Sequence, residues 1–164
     1  WRLAVGPAST RTLGLTNSML PSTLKMGNKL NSDRLGRTPL HYAAQEGDSH
    51  KLNRLLSEGA NVDAKDQCGW TPLHFAAQSN QEEAVRQLIL AGASVDETDE
   101  HGNTALFRAV FSYTDSSIVI KALLAAGADP SRSNKHGASP AGLAQTIANT
   151  GVKKHFKTLP PSDA

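Results

Sequence analysis

One sentence written twice constrains this chain more than any other feature. The stretch "GRTPLHYAAQEGD" at residues 36–48 returns as "GWTPLHFAAQSNQ" at residues 69–81, so the leading glycine recurs after 33 residues, at Gly36 and Gly69. Catalytic groups are gathered once, from scattered positions. A unit repeated at a fixed short period is instead a structural module, too small to bury its own apolar face and stable only against copies of itself.

The repetition starts at Asp33. The first unit covers 33–65 and the second 66–98; the third, 99–133, carries two extra residues around Tyr113 to Ser116, and the fourth, 134–159, is cut short before a tail at 160–164. Each recurring residue has a physical reason. Asp33, Asp66 and Asp99 can turn their carboxylates onto backbone N–H groups two residues ahead, and Gly36, Gly69, Gly102 and Gly137 supply the positive φ of a tight turn. Pro39 and Pro72 suit the first turn of a helix, where a missing N–H costs nothing. Leu40, Ala43 and Ala44, like Leu73, Ala76 and Ala77, sit at i, i+3 and i+4, an apolar stripe narrow enough for close helix approach. A second stripe follows at Leu52, Leu55 and Leu56, at Val85, Leu88 and Ile89, and at Ile120, Leu123 and Leu124. Gly59, Gly92 and Gly127 then stop each second helix in the left-handed conformation.

The pattern of turn, Thr-Pro-Leu-His-x-Ala helix and second helix resembles the ankyrin repeat. The residues that carry the likeness are Thr38-Pro39-Leu40-His41-Tyr42-Ala43-Ala44 and Thr71-Pro72-Leu73-His74-Phe75-Ala76-Ala77, within a span of about residues 33–157. The resemblance implies an all-α ankyrin-repeat solenoid of three full helix-turn-helix repeats plus a truncated C-terminal capping repeat. Unit three departs from the pattern, reading Thr104-Ala105-Leu106-Phe107 without Pro or His, and in unit four Lys153, Lys154 and Lys157 replace much of the second stripe. Terminal units need a polar outer face, so unit four is expected to cap the stack, and Lys51 and Arg54 to let unit one cap itself.

Composition narrows the remaining classes. The 164 residues are 38% hydrophobic, 20% charged and 5% aromatic, as expected of one globular domain. No apolar run approaches the roughly 20 residues of a membrane helix. A single cysteine, Cys68, excludes an internal disulfide framework. Residues 1–32 contain Arg2, Arg11, Lys25 and Lys29 and no acid, which leaves 13 of the 17 basic residues to set against all 15 acidic ones in the rest. A mildly acidic body gives no electrostatic reason to expect nucleic acid. Residues 1–32, rich in Ser, Thr, Asn, Gly and Pro and without sustained period, read as a disordered leader, or an upstream extension ahead of Met26; a transit peptide is the alternative.

Candidate chemistry is sparse. His41 and His74 occupy the Thr-Pro-Leu-His slot, where the resemblance implies a buried imidazole bonded across the unit boundary rather than a catalyst. His101 and His136, 35 residues apart on successive turn tips, are placed side by side, but no third ligand accompanies them, so no metal is expected. Cys68 has no histidine positioned as its base, and neither G-x-x-x-x-G-K nor G-x-G-x-x-G occurs. The chain reads as non-catalytic, with no cofactor.

What remains is surface. The resemblance implies a protein-binding groove lined by turn tips and first helices. By position it takes Arg34, Leu35, Arg37, Gln45 and Glu46 from unit one, and Gln67, Cys68, Trp70, Gln78 and Ser79 from unit two. Units three and four add Glu100, His101, Asn103, Phe111, Ser112, Lys135, His136 and Ala138. Trp70 is the expected anchor, because aromatic and arginine side chains dominate interface energetics. The expected activity is non-catalytic binding of another protein by a cytoplasmic monomer, with no nucleic acid or membrane. The wording of "GNTALFRAVF" and "NKHGASPAGLAQTIANTGVKKHF" is similar to small free-standing bacterial ankyrin proteins, which implies an alternative role as an immunity or inhibitor protein sequestering a toxin or enzyme. A fragment of a longer ankyrin scaffold is the other alternative; the polar replacements in units one and four argue against it.

Overall fold

In the computed structural model, which describes residues 32–114, 116–147 and 150–156, repeated text becomes repeated geometry. Asp66 Oδ1 accepts from the backbone N–H groups of Cys68 (2.9 Å) and Trp70 (2.9 Å). Asp33 and Asp99 make the same pair of bonds, and Asn134 makes them without a charge. The glycine inside each turn takes φ of 76° to 81°. A Cβ at Gly69 would also lie 3.1 Å from the backbone nitrogen of Glu100 in the following turn, so this position excludes a side chain twice over. Successive turns are joined directly: Gln67 N–H donates to the Leu35 carbonyl, Glu100 to Cys68 and Lys135 to His101, each at 2.9 Å.

Behind every turn stands a helix pair. The inner helices are α1 (Pro39–Glu46), α3 (Pro72–Gln78), α5 (Ala105–Phe111) and α7 (Pro140–Thr146). The outer ones are α2 (Ser49–Ser57), α4 (Glu82–Leu90), α6 (Ile118–Ala125) and the short α8 (Thr150–Lys153). Inner helices pack in the order α1, α3, α5, α7, and α4 lies between α2 and α6 in the outer row. Ala43, Ala44, Ala76 and Ala77 are buried where the inner helices meet, and Leu52, Val85, Leu88, Ile120 and Leu123 are buried beneath the outer row. Each of these buried Leu, Ile and Val side chains contributes about 1.5–3 kcal/mol. Within the outer stripes Leu55, Leu56, Ile89 and Leu124 are only half-buried. Among the described residues the one β-type pairing is an isolated bridge between Thr98 and Thr104, so the architecture is all-helical.

Imidazoles join the first three units. His41 Nδ1 accepts the Thr38 backbone N–H (2.9 Å) while Nε2 meets the Trp70 carbonyl (3.0 Å). An amide N–H can only donate and a carbonyl can only accept, so the ring is the neutral tautomer protonated on Nε2. His74 repeats this between Thr71 N–H (3.2 Å) and the Asn103 carbonyl (3.0 Å). Burial pushes both imidazoles below the usual histidine range, which holds them neutral. Unit three, with Phe107 in that slot, has no such bridge. There Thr104 Oγ1 caps α5 by accepting the Phe107 N–H (3.2 Å), and Asn134 Nδ2 donates to Asn103 Oδ1 (2.8 Å) across the next boundary.

The C-terminal unit departs from the sequence reading. Its second stripe is kept, not replaced: Val152 and Phe156 are buried in the core, and Lys153 and Lys154 fall between them on the outward side. Lys157 lies outside the described residues, as do the leader expected over 1–32 apart from Ser32, Asp115 of the insertion in unit three, and the tail at 160–164.

Candidate functional site

One helical slot, four residues after the threonine that opens α1, α3 and α5, organises the exposed face. It holds Tyr42, Phe75 and Arg108 in successive units. In unit one the Tyr42 hydroxyl donates to Asp33 Oδ2, and that bond, with the Arg37 N–H, holds the Asp33 carboxyl below its ordinary range. In unit three Arg108 pairs with Asp99. Burial raises the Asp99 pKa, but the bonds from Arg108 and Asn103 outweigh it and the carboxyl stays ionised. Phe75 offers Asp66 no donor, so Arg37 reaches over from the preceding turn, with Nε 3.4 Å from Asp66 Oδ2.

These substitutions assemble a line of flat groups across three units. The Arg37 guanidinium lies 4.9 Å from the Phe75 ring centroid, Phe75 lies 5.1 Å from Trp70, and the Arg108 guanidinium lies 4.1 Å from Trp70. Cations over aromatic faces are attracted by the ring quadrupole, by about 0.5–2 kcal/mol each according to exposure. Arg108 is only 17% exposed, and its Nε is buried with no hydrogen-bond partner among the described residues. Trp70, Arg37 and Arg108, with Cys68, Glu100 and His101 at the rim, border a cleft of about 270 Å³.

Most of the expected groove residues lie on the surface. Arg34, Leu35, Gln67, Cys68, Glu100, His101, Lys135 and His136 are exposed along the turn tips, and Gln45, Glu46, Gln78 and Ser79 at the C-terminal ends of α1 and α3. Phe111, at the end of α5, is 67% exposed; Ser112 and Ala138 are half-buried. Arg37 and Trp70 are partly buried within the stacked line, so Trp70 packs against its neighbours as well as facing outward. Asn103 corrects the sequence reading. It is 6% exposed, its amide is engaged by Asp99 and Asn134, and its carbonyl by His74, so it braces the turn instead of facing a partner. Arg108 was missed. Its signal was the shared slot with Tyr42 and Phe75, masked because the residue type changes from aromatic to cationic.

His101 and His136 do stand together, ring centroids 6.2 Å apart, with Glu100 Oε1 3.5 Å from His101 Nε2. Among the described residues no three His, Cys, Asp or Glu side chains are grouped to hold a metal ion. The Glu100 carboxylate, and then burial, push the Cys68 thiol up, which favours the unreactive protonated form. The face presents flat apolar area edged by guanidinium and carboxylate groups, an arrangement suited to recognition. No helix among the described residues is long and apolar enough to cross a membrane.

A family model for ankyrin repeats, in three copies, matches residues 40–134, more than half of the chain. Comparison with curated proteins gives no match. Ankyrin repeats are in general protein–protein interaction modules on a non-catalytic fold. Three matching copies, laid over turns and helix pairs that recur in step, make this chain a member of the ankyrin-repeat family.

Proposed function

We propose that this chain acts by binding a partner protein across the face of turn tips and inner helices, with Trp70 as the central anchor. The observation that carries the reading is the Arg37–Phe75–Trp70–Arg108 line, in which the half-exposed Trp70 and two guanidinium groups are stacked over the buried Phe75 ring at the middle of one surface. Residues of these types supply most of the binding energy at interfaces, inside a more polar rim. Here the rim is Arg34, Gln67, Glu100, His101, Lys135 and His136, all exposed.

The test uses the full chain as bait in extract from its native host, with the captured protein then purified and titrated. Trp70→Ala is expected to weaken that binding by about 2 kcal/mol, roughly thirtyfold. Charge reversal at Arg37 should lower the association rate and its dependence on salt. Asn53→Ala, exposed on the outer helix α2, is the control and should change nothing. A partner that binds Trp70→Ala as tightly as the parent chain rules this face out.

A further inference from the structure

The opposite side of the stack carries a surface that the proposed face does not use. Leu90, at the end of α4, is 86% exposed, and Ile118, at the start of α6, is 42% exposed. Between them α4 and α6 leave an open trough of about 550 Å³, floored by Ile89, Ala122, Ala125 and, just past the end of α6, Ala126. A single exposed leucine is ordinary, but two branched side chains flanking an aliphatic trough mark an interaction surface.

Charge decides what fits there. Among the described residues the charged side chains lining the trough are Arg86 and Lys121, with no acid. Glu82 holds Arg86 at 2.6 Å along its own helix, whereas Lys121 makes no ion pair among the described residues. The unpaired Lys121 disfavours the chain's own residues 1–31, which contain Arg2, Arg11, Lys25 and Lys29 and no acid. It also disfavours a second copy, since a two-fold interface sets the same patch against itself and brings like charges together. A helix with an apolar stripe and an acidic flank is attracted, and two adjacent helices form the groove that such an element fills.

We propose that the trough between α4 and α6 docks an amphipathic helix of a partner protein, its aliphatic side chains seated between Leu90 and Ile118 and an acidic residue set against Lys121. This site is independent of the Trp70 face, and both can be occupied at once.

The probe is a display library of helical peptides of about 14 residues, with leucine at i, i+3, i+4 and i+7 and flanking positions varied among Glu, Lys and Ser. Selection on the full chain is expected to enrich Glu-flanked peptides. Leu90→Asp should weaken the selected peptides about tenfold or more, Lys121→Glu should switch the preferred flank from Glu to Lys, and Trp70→Ala should leave their affinity unchanged. Circular dichroism confirms that these surface variants stay folded. Four results overturn the proposal. They are peptides indifferent to Leu90→Asp, enrichment of Lys-flanked peptides by the parent chain, self-association in sedimentation that Leu90→Asp abolishes, and a photo-crosslinker at position 90 that traps residues 1–31.

Discussion

His74 shows how much one side chain contributes to joining two units. It is buried, accepts from its own helix start and donates to the Asn103 carbonyl of the next unit. His74→Ala is therefore expected to cost roughly 1–3 kcal/mol, chiefly by leaving the Thr71 N–H and the Asn103 carbonyl unpaired. Its protonation gives a second readout. Burial lowers the folded-state pKa of His41 and His74 below the unfolded value of about 6.5, so the unfolded chain binds protons first as pH falls. The stability these residues contribute is full above about pH 6.5 and is lost as pH falls through the depressed folded values. The depressed carboxylates Asp33, Glu97, Asp99 and Asp129 act in a separate window, below about pH 4. Denaturant unfolding at about pH 7.5 and 5 should show a fall in stability for the parent chain. The double variant His41→Gln, His74→Gln, which keeps a donor and an acceptor without titrating, should show much less. Equal slopes would move the effect to another group, such as His155, whose pKa burial and Lys121 also lower.

At the scale of the element, the two families of glycine differ in what they tolerate. Gly69 and Gly92 both have positive φ, but a Cβ at Gly92 would meet nothing within 4 Å, whereas at Gly69 it would meet the backbone of the next turn. Gly92→Ala should cost about 1–2 kcal/mol from φ alone. Gly69→Ala should cost clearly more, because backbone cannot move aside as a flexible side chain can. Equal unfolding free energies for the two variants would mean that the turns do not rest on one another. These elements were legible in the sequence because their causes are local: Asp and Gly three residues apart make the turn, and Pro, Thr and the apolar period make the helix. The burial of Asn103 was not legible, because it depends on Asn134 arriving 31 residues later to take its side chain. Nor was the stacking of Arg108 on Trp70, which joins different units through a long side chain whose direction no local pattern specifies. Val152 and Phe156 were hidden by the lysines around them, which drew attention to the exposed side of the same segment.

For the whole molecule, the joints are unequal. Units one to three are linked by imidazoles reaching the carbonyls of Trp70 and Asn103, while the last joint has no imidazole and is held by the Asn134–Asn103 contact, by the backbone bonds of Lys135 to His101 and Ala141 to Pro130, and by α7 packing against α5. In a stack where each unit touches only its neighbours, local opening begins at the weakest joint. Hydrogen exchange should therefore find the α7 amides least protected among the inner helices and those of α3 most protected. Replacing Phe107 with His, so that the missing slot is filled, is expected to raise protection in α7 if the new ring reaches a backbone carbonyl of the last turn. Uniform exchange along the stack would show instead that it opens as a single unit.

Each pair of successive turn tips shares one bond made of backbone atoms alone, Gln67 to Leu35, Glu100 to Cys68 and Lys135 to His101. Every residue except proline owns those atoms, so that bond survives a change of side chain at the positions that make it. The tips form a ruler with interchangeable marks. A substitution at Leu35, Cys68 or His101 alters what a visiting surface touches without altering where it is touched. Such a face can acquire a new preference one position at a time, and none of those steps requires the scaffold behind it to be rebuilt.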